Sequence, residues 1–444
     1  MREEFLHFIW KNRLFGTDHL YTRDGRQLVV VDPGEYNRDA GPDFFNSRIR
    51  VGETEWAGNV ELHINASDWY SHRHHLDHAY DNVILHVVAN YDAVVESAGG
   101  TIPDTFIISW QAEVEDKYNE YLDKPEIIAC RNDLHKIPGY TRRHCISMMA
   151  EERLQTKIKR IKVVLRSTNN DWDETLYRLL AKYFGMKVNA GPFTVLALNL
   201  PLRIIRKHAD KRLQVEALMY GQAGMLEPGA FEKEIYDEYY CSLLAEYRLL
   251  RQKYSLKPAE PSIWKFHRLR PVNFPTIRIS QFAGLISTGS SLFGILKKCR
   301  DTSGLRKILS SAASSYWDNH YTFGSYKKGK EKRTGSTMIN VLMINTIIPM
   351  LFLYGRETGT DEYCNRALDM LDDIEAEDNR VLREWSESGI RPCSALESQG
   401  MIHIREKYCK NRQCLNCPFG SKLISLGGNI DPGNNYMLED SGNK

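Results

Sequence analysis

From residue 2 to about residue 110 the apolar positions change period several times. Phe5, Leu6, Phe8 and Ile9 recur at helical spacing, with Glu3, Glu4, Lys11 and Arg13 left for water, so residues 2–14 predict an amphipathic helix. The β-branched run QLVVVD (27–32) stops at Pro33-Gly34, and DFFNSRIRV and TEWAGNVELHI flank a tight Gly52-Glu53 turn. These segments read as three successive strands, the last two closed as a hairpin. SHRHHLDHAYDN then reads as a polar helix or turn. VILHVVANYD follows as a strand apolar enough to be buried on both faces, and TFIISW (105–110) as one more strand-like piece. The main elements therefore run αβββαβ.

Helical periodicity dominates from about residue 140, as in MMAEERLQTKIKRIKVVLR, ETLYRLLAKYFG and FEKEIYDEYYCSLLAEYRLLRQKY. Two loops heavy in aromatics and cations interrupt it, SIWKFHRLRPVNFPTIRIS (262–280) and SYWDNHYTFGSYKKGKEKRTGS (315–336), and no repeat period is visible. The window STMINVLMINTIIPMLFLYG (336–355) has the length of a membrane span, but Asn340, Asn345 and Pro349 interrupt it. A buried core helix kinked at Pro349 is the expectation. The polar, Gly-rich end SLGGNIDPGNNYMLEDSGNK predicts a loose tail. The fold class is thus α+β, with a mixed domain over 1–137, a mainly helical domain over 138–425 and a tail over 426–444.

Composition adds bounds. At 444 residues the chain exceeds what one hydrophobic core organises. Lys and Arg number 59 against 57 Asp and Glu, a net +2, so any nucleic-acid contact has to come from local basic patches. The N-terminus MREEFLHFIWKNRLFG mixes charge into its apolar residues and lacks the plan of a signal peptide, which predicts a cytoplasmic protein without membrane association. Nine cysteines, an odd number in such a setting, point to free thiols or metal ligands and away from a disulfide framework.

The candidate chemistry concentrates in the hairpin. Side chains alternate faces along a strand, so Glu61 and His63 point the same way with Cα atoms roughly 7 Å apart. Asp43 begins the preceding strand, and a hairpin closed at Gly52-Glu53 sets it nearly opposite Glu61. Facing carboxylates repel unless a cation sits between them, and hard divalent ions take such oxygen ligands. The alternative is a hairpin with a solvated polar face. At Pro42-Asp43 and Glu61-Leu62-His63, and in the order of its elements, the chain resembles the PD-(D/E)XK nuclease superfamily. That resemblance implies a restriction-endonuclease-like N-terminal domain, Mg²⁺ or Mn²⁺ as cofactor, and phosphodiester hydrolysis by Asp43, Glu61 and His63, with Glu4 as a further acid. His63 stands where the superfamily usually carries lysine, so it would act as a base or as an added ligand favouring a transition metal. The chain as a whole resembles the family known as domain of unknown function 2851, through AGPDFFNSRI, WAGNVELHINASDWYSHRHHLDHAYDNVILHVV, NFPTIRISQFA and YCKNRQCLNCPFG. No activity comes with that likeness.

Beyond the hairpin, His72, His74, His75, Asp77, His78 and Asp81 fall within ten residues. On a helix His74 and His78 would share a face, giving a separate zinc site, an extension of the hairpin site, or a phosphate contact; a solvated polar helix is the other reading. His86, inside an apolar run, reads as a core histidine. CKNRQCLNC brings Cys409, Cys414 and Cys417 within nine residues, and Cys393 or His403 would complete a tetrahedral Zn²⁺ site. The run Cys…Cys-x2-Cys-Pro also resembles the terminal loop of helix-hairpin-helix DNA glycosylases, implying an iron–sulfur cluster, though with a shorter first gap and no cysteine after Cys417. Three reduced thiols near a surface turn are the remaining reading. WKFHRLRPVNFP interleaves Trp264, Lys265, His267, Arg268 and Arg270, the chemistry that stacks bases and neutralises phosphates, or else ordinary packing with surface cations; YKKGKEKR (326–333) is a second basic loop. Three functions follow: a metal-dependent nuclease or nuclease-derived nucleic-acid-binding protein, a His-rich metal hydrolase of a small substrate using His63 with His72, His74 or His78, and a non-catalytic scaffold.

Overall fold

The computed structural model describes residues 2–16, 19–231, 235, 237–287 and 291–428, so most of the expected tail lies outside the described residues. The chain divides into two compact units, one of Met1–Cys145, Arg383–Arg391 and Ile402–Lys444, the other of Ile146–Leu382 and Pro392–Met401. The first carries a sheet and the second is helical, so the chain is α+β. The break expected at residue 138 falls instead within a long helix, and the segment after residue 401, read as part of the helical domain, belongs with the sheet. Helical period tells which face of a segment is apolar but not which core that face joins.

In the first unit, helix α1 (Glu3–Lys11) buries Phe5, Leu6, Phe8, Ile9 and Trp10 on the predicted stripe. Strands β1 (Leu20–Tyr21), β2 (Gln27–Asp32), β3 (Glu35–Tyr36), β4 (Phe44–Val51), β5 (Thr54–Asn65), β6 (Val83–Asn90) and β7 (Asp104–Ile107) form one sheet in the order β1-β2-β4-β5-β6-β7, with β3 paired to β4. β2, β4 and β5 are antiparallel neighbours, whereas β5–β6 and β6–β7 are parallel. Gly34, at φ +88°, lets β3 turn back over β4: a Cβ there would stand 2.3 Å from Ser47 Oγ and 2.5 Å from the Phe45 carbonyl. The segment read as a polar helix or turn is the one-turn helix α2 (Asp68–Ser71) and two 3₁₀ turns, His74–Leu76 and His78–Tyr80. Helix α3 (Ala112–Asp123) follows the last strand.

The second unit packs one continuous apolar core that includes Leu176, Phe184, Phe193, Leu218, Tyr247, Phe282 and Leu351. The apolar window spans Ser336–Thr358 and is long and apolar enough to cross a membrane, yet most of it is buried within this unit. A wide π turn, Met343–Ile347, precedes Pro349, which has no N–H to return to the carbonyl four residues back. The half-buried Lys157 enters at this turn, donating to the Ile344 carbonyl (3.0 Å), Asn345 Oδ1 (3.0 Å) and Gln399 Oε1 (2.6 Å).

Burial, then the nearby Arg153, hold the Lys157 ammonium down to about 7. An unfolded lysine keeps its proton to about pH 10.4, so between these values the unfolded chain binds more protons and stability rises with pH. Thermal melts of wild type and Lys157→Met should therefore show the wild type gaining relative stability from pH 7 to pH 9, by at most about 1.4 kcal/mol per pH unit. A pH-independent difference would refute it.

Candidate metal centre

A single extra residue in β4 decides which way Asp43 points. From the turn, Val51 pairs with Thr54 and Ser47 with Gly58, but Phe44 pairs with Val60, so the register slips by one between them. Asn46 absorbs the slip in the left-handed region at φ +57°. Without that bulge Asp43 would oppose Leu62 and face the other side of the sheet; with it, Asp43 meets Glu61. The closeness of Asp43 to Glu61 expected from the hairpin is therefore reached only through the bulge, and not by the regular register. The Asp43 N–H donates to Glu61 Oε2 (3.0 Å), and Asp43 Oδ2 accepts the Leu62 N–H (2.9 Å).

The parallel pairing of β5 with β6 requires a crossover, and the histidine-rich segment is that crossover. Trp69, fully buried, anchors it, its ring packing edge-on against His63 and His74 and its Nε1 donating to the Glu96 carbonyl. Arg73, at φ +64°, then turns the chain back. As a result His72 and His74 come down over the face that carries Glu61 and His63. His74 Nε2 stands 3.2 Å from Glu61 Oε1, His63 Nε2 3.7 Å from the same oxygen, and His63 Nε2 3.1 Å from His72 Nδ1. Among the described residues, His63, His72 and His74 are the only three potential ligands whose donor atoms all lie within 4.8 Å of one another. Tetrahedral nitrogens around Zn²⁺ would be ~3.3 Å apart, so the spacing fits such an ion.

These groups sit on a buried face, which sets aside the reading of a solvated polar hairpin: His63 is 0% and Glu61 5% exposed, while His72 reaches the surface. Burial, then the charge of Asp43, push the Glu61 carboxyl up to about 9. Burial and the neighbouring imidazoles hold His63 down to about 2, and burial and His74 hold His86 down to about 3. Burial also lowers His74. His63, His74 and His86 are therefore neutral at ordinary pH, as nitrogen ligands and their supports must be, and the Glu61 carboxyl ionises there only beside a positive charge. His86 is a fully buried core histidine, as expected, and its Nε2 lies 2.9 Å from His63 Nδ1, which fixes the His63 ring with Nε2 toward the cluster.

Sequence reasoning missed His7. It projects from α1 with Nε2 3.2 Å from Asp43 Oδ2 and Nδ1 3.4 Å from the Tyr36 hydroxyl. Burial opposes its charge, but the hydrogen bond and charge of Asp43 win and raise its pKa. Glu3, four residues earlier on that helix, is the acid that feels Asp43; the expected Glu4 is exposed and lines a neighbouring cavity. That cavity, about 440 Å³, is bounded by His7 and Tyr36 together with the cations Lys11, Arg38 and Lys407.

One family model matches the chain, over residues 3–380, and its description is protein of unknown function (DUF2851). The chain belongs to this family. No curated protein and no solved structure matches it. The family match takes in every residue of the histidine cluster and stops short of Cys409, Cys414 and Cys417.

Other predicted residues of this DUF2851 member fall elsewhere. His78 does not share a helix face with His74; its side chain is 81% exposed and bonds Asp81 at 2.7 Å, because the 3₁₀ turns break the expected four-residue spacing. Trp264 is buried, donates to the Ala223 carbonyl and packs on Phe193, so it is a core residue and not a base-stacking platform. Lys265, Arg268 and Arg270 are exposed, and Lys265 is tied to Asn189 through its backbone. Cys393 lies exposed in the second unit, its N–H donating to Glu397. Cys409, Cys414, Cys417 and His403 are buried in the first.

A transition ion should copurify or titrate in at one per chain. Because His72 is exposed, His72→Ala should leave the fold intact and weaken binding by at least roughly 10²-fold. Competition with a chromophoric chelator measures both, and equal affinity in the variant would remove His72 from the centre.

Proposed function

We propose that this protein is a metal-dependent hydrolase of phosphate esters whose ion is held by Glu61, His63, His72 and His74. One observation carries the reading: a carboxyl group and three imidazoles converge, and Asp43 and His7 link them to a cavity lined by three cations. The antiparallel run β2–β4–β5 followed by parallel β6 agrees with a restriction-endonuclease-like core and favours a phosphodiester as the bond cleaved. Three imidazoles suit Zn²⁺, Mn²⁺ or Fe²⁺ better than Mg²⁺, which keeps to oxygen ligands.

A bound ion of this class supplies Lewis acidity and an acidified water. The chain supplies the rest. Lys11, Arg38 and Lys407 neutralise the phosphate in the cavity. His7 borders both the cavity and Asp43: Asp43 holds Nε2, and Nδ1, which makes only a long 3.4 Å contact with the Tyr36 hydroxyl, is the nitrogen that would pass a proton to or from an oxygen of the substrate. Asp43 itself is turned by the Leu62 N–H and His7 toward an orienting role beside the ligands.

Incubation with an activated aryl phosphodiester and with single-stranded and duplex DNA and RNA, each with Mn²⁺, Zn²⁺ or Mg²⁺, tests this. Cleavage with a transition ion is expected. Glu61→Gln and His74→Ala should abolish it, and His7→Gln should lower kcat by about 10²–10⁴-fold with KM little changed. Cleavage of the aryl ester but not of polynucleotides would mark a small substrate. No cleavage under any ion, or full activity in Glu61→Gln, overturns the proposal.

A further inference from the structure

The three cysteines of the C-terminal loop have a fourth companion that is distant in sequence. Cys130 lies in the stretch between α3 and the 3₁₀ turn Leu134–Lys136, and it is buried, as are Cys409, Cys414 and Cys417. All four are free thiols within the first unit. Arg412 ties the two segments together: at φ +54° its guanidinium donates to the Glu126 carbonyl at 2.8 Å and to the Lys124 carbonyl. The sulfurs lie within electrostatic reach of one another. Burial, then Cys417 and Cys414, raise the Cys130 thiol; burial, then Cys417, Cys130 and Cys414, raise Cys409.

The loop is built around these sulfurs. Cys409 opens a 3₁₀ turn, Cys409–Asn411, and Cys417 caps the helix Pro418–Ser425. Burial pushes the Cys417 thiol up to about 11, while the N–H groups of Gly420 and Phe419 act the other way and favour its thiolate. Gly420 permits the loop to close, since a Cβ there would stand 2.4 Å from the Cys414 carbonyl oxygen. Four thiols serving only as small core residues would need none of this.

The spacing discriminates between metals. Zn²⁺ holds its thiolates ~2.3 Å away, hence ~3.8 Å from each other. No three of these sulfurs all come within 4.8 Å of one another, since among the described residues the histidines alone form such a group. A cluster of irons and sulfides stands between its cysteines and keeps them farther apart.

We propose that Cys130, Cys409, Cys414 and Cys417 bind an iron–sulfur cluster with four cysteine ligands, one from each position, and that it fastens the C-terminal segment to the stretch after α3. Neither Cys393 nor His403 takes part.

Full-length protein purified without oxygen, or reconstituted with ferrous iron and sulfide, decides this. Expected are broad visible absorption, bleached by dithionite, and iron with acid-labile sulfide in equal amounts. Cys130→Ser should lose most of both, whereas Cys393→Ser should keep them. Stoichiometric zinc at these cysteines without sulfide, or neither metal after reconstitution, overturns the proposal, as does Cys130→Ser retaining the wild-type content. If Cys130→Ser does not fold, the iron and sulfide content of wild type and Cys393→Ser still decides, together with alkylation: four thiols should become reactive only after the cluster is stripped.

Discussion

The parallel pairing of β5 with β6 is the constraint from which the centre follows. An antiparallel partner could have joined β5 through a tight turn, leaving the Glu61–His63 face open to water. A parallel partner obliges the chain to travel back along the sheet, and residues 66–82 make that journey with Trp69 buried as their anchor. The crossover thereby lays His72 and His74 against Glu61 and His63. Parallel pairing also sets Glu61 beside His86, so the support of the His63 ring comes from the same choice of strand direction.

Charge explains why this assembly points to a cation. Asp43 and Glu61 are brought together by the bulge at Asn46, on a face that excludes most water, with imidazoles whose own protonation is suppressed. His7, held by Asp43 at the edge, instead gains proton affinity, unlike His63, His74 and His86. Two facing buried carboxyl groups with nitrogen donors cannot both ionise unaided, and a divalent ion would let them by supplying charge and accepting the lone pairs. The cationic lining of the adjoining cavity extends the same logic to an anionic ligand.

The first unit is assembled from three stretches of chain, since the polypeptide leaves for the helical unit and returns. Such a return has to be secured, because segments distant in sequence lose much entropy on docking. Arg412 and the four buried cysteines lie at that junction. The returning segment also forms a wall of the cavity through Lys407, Gln413 and Asn416, so the fastening of the C-terminal loop bears on the shape of the candidate site.

By itself the sequence determined what local period can express. The boundaries of β2, β4 and β5, the hairpin at Gly52-Glu53, the shared face of Glu61 and His63, the apolar stripe of α1 and the tight grouping of Cys409, Cys414 and Cys417 were all legible there. Tertiary structure decided the rest. Asn46 bulges without any signature in the apolar pattern, and one residue of register turns Asp43 to the other face. His72 and His74, and not His78, meet His63 because 3₁₀ turns replaced a regular helix. Cys130 comes within electrostatic reach of Cys414 and Cys417, far along the chain, and Trp264 left its basic neighbours for the core. Period fixes the direction in which a side chain leaves its own element; which groups it meets depends on the path of the whole chain, and no local pattern records that path.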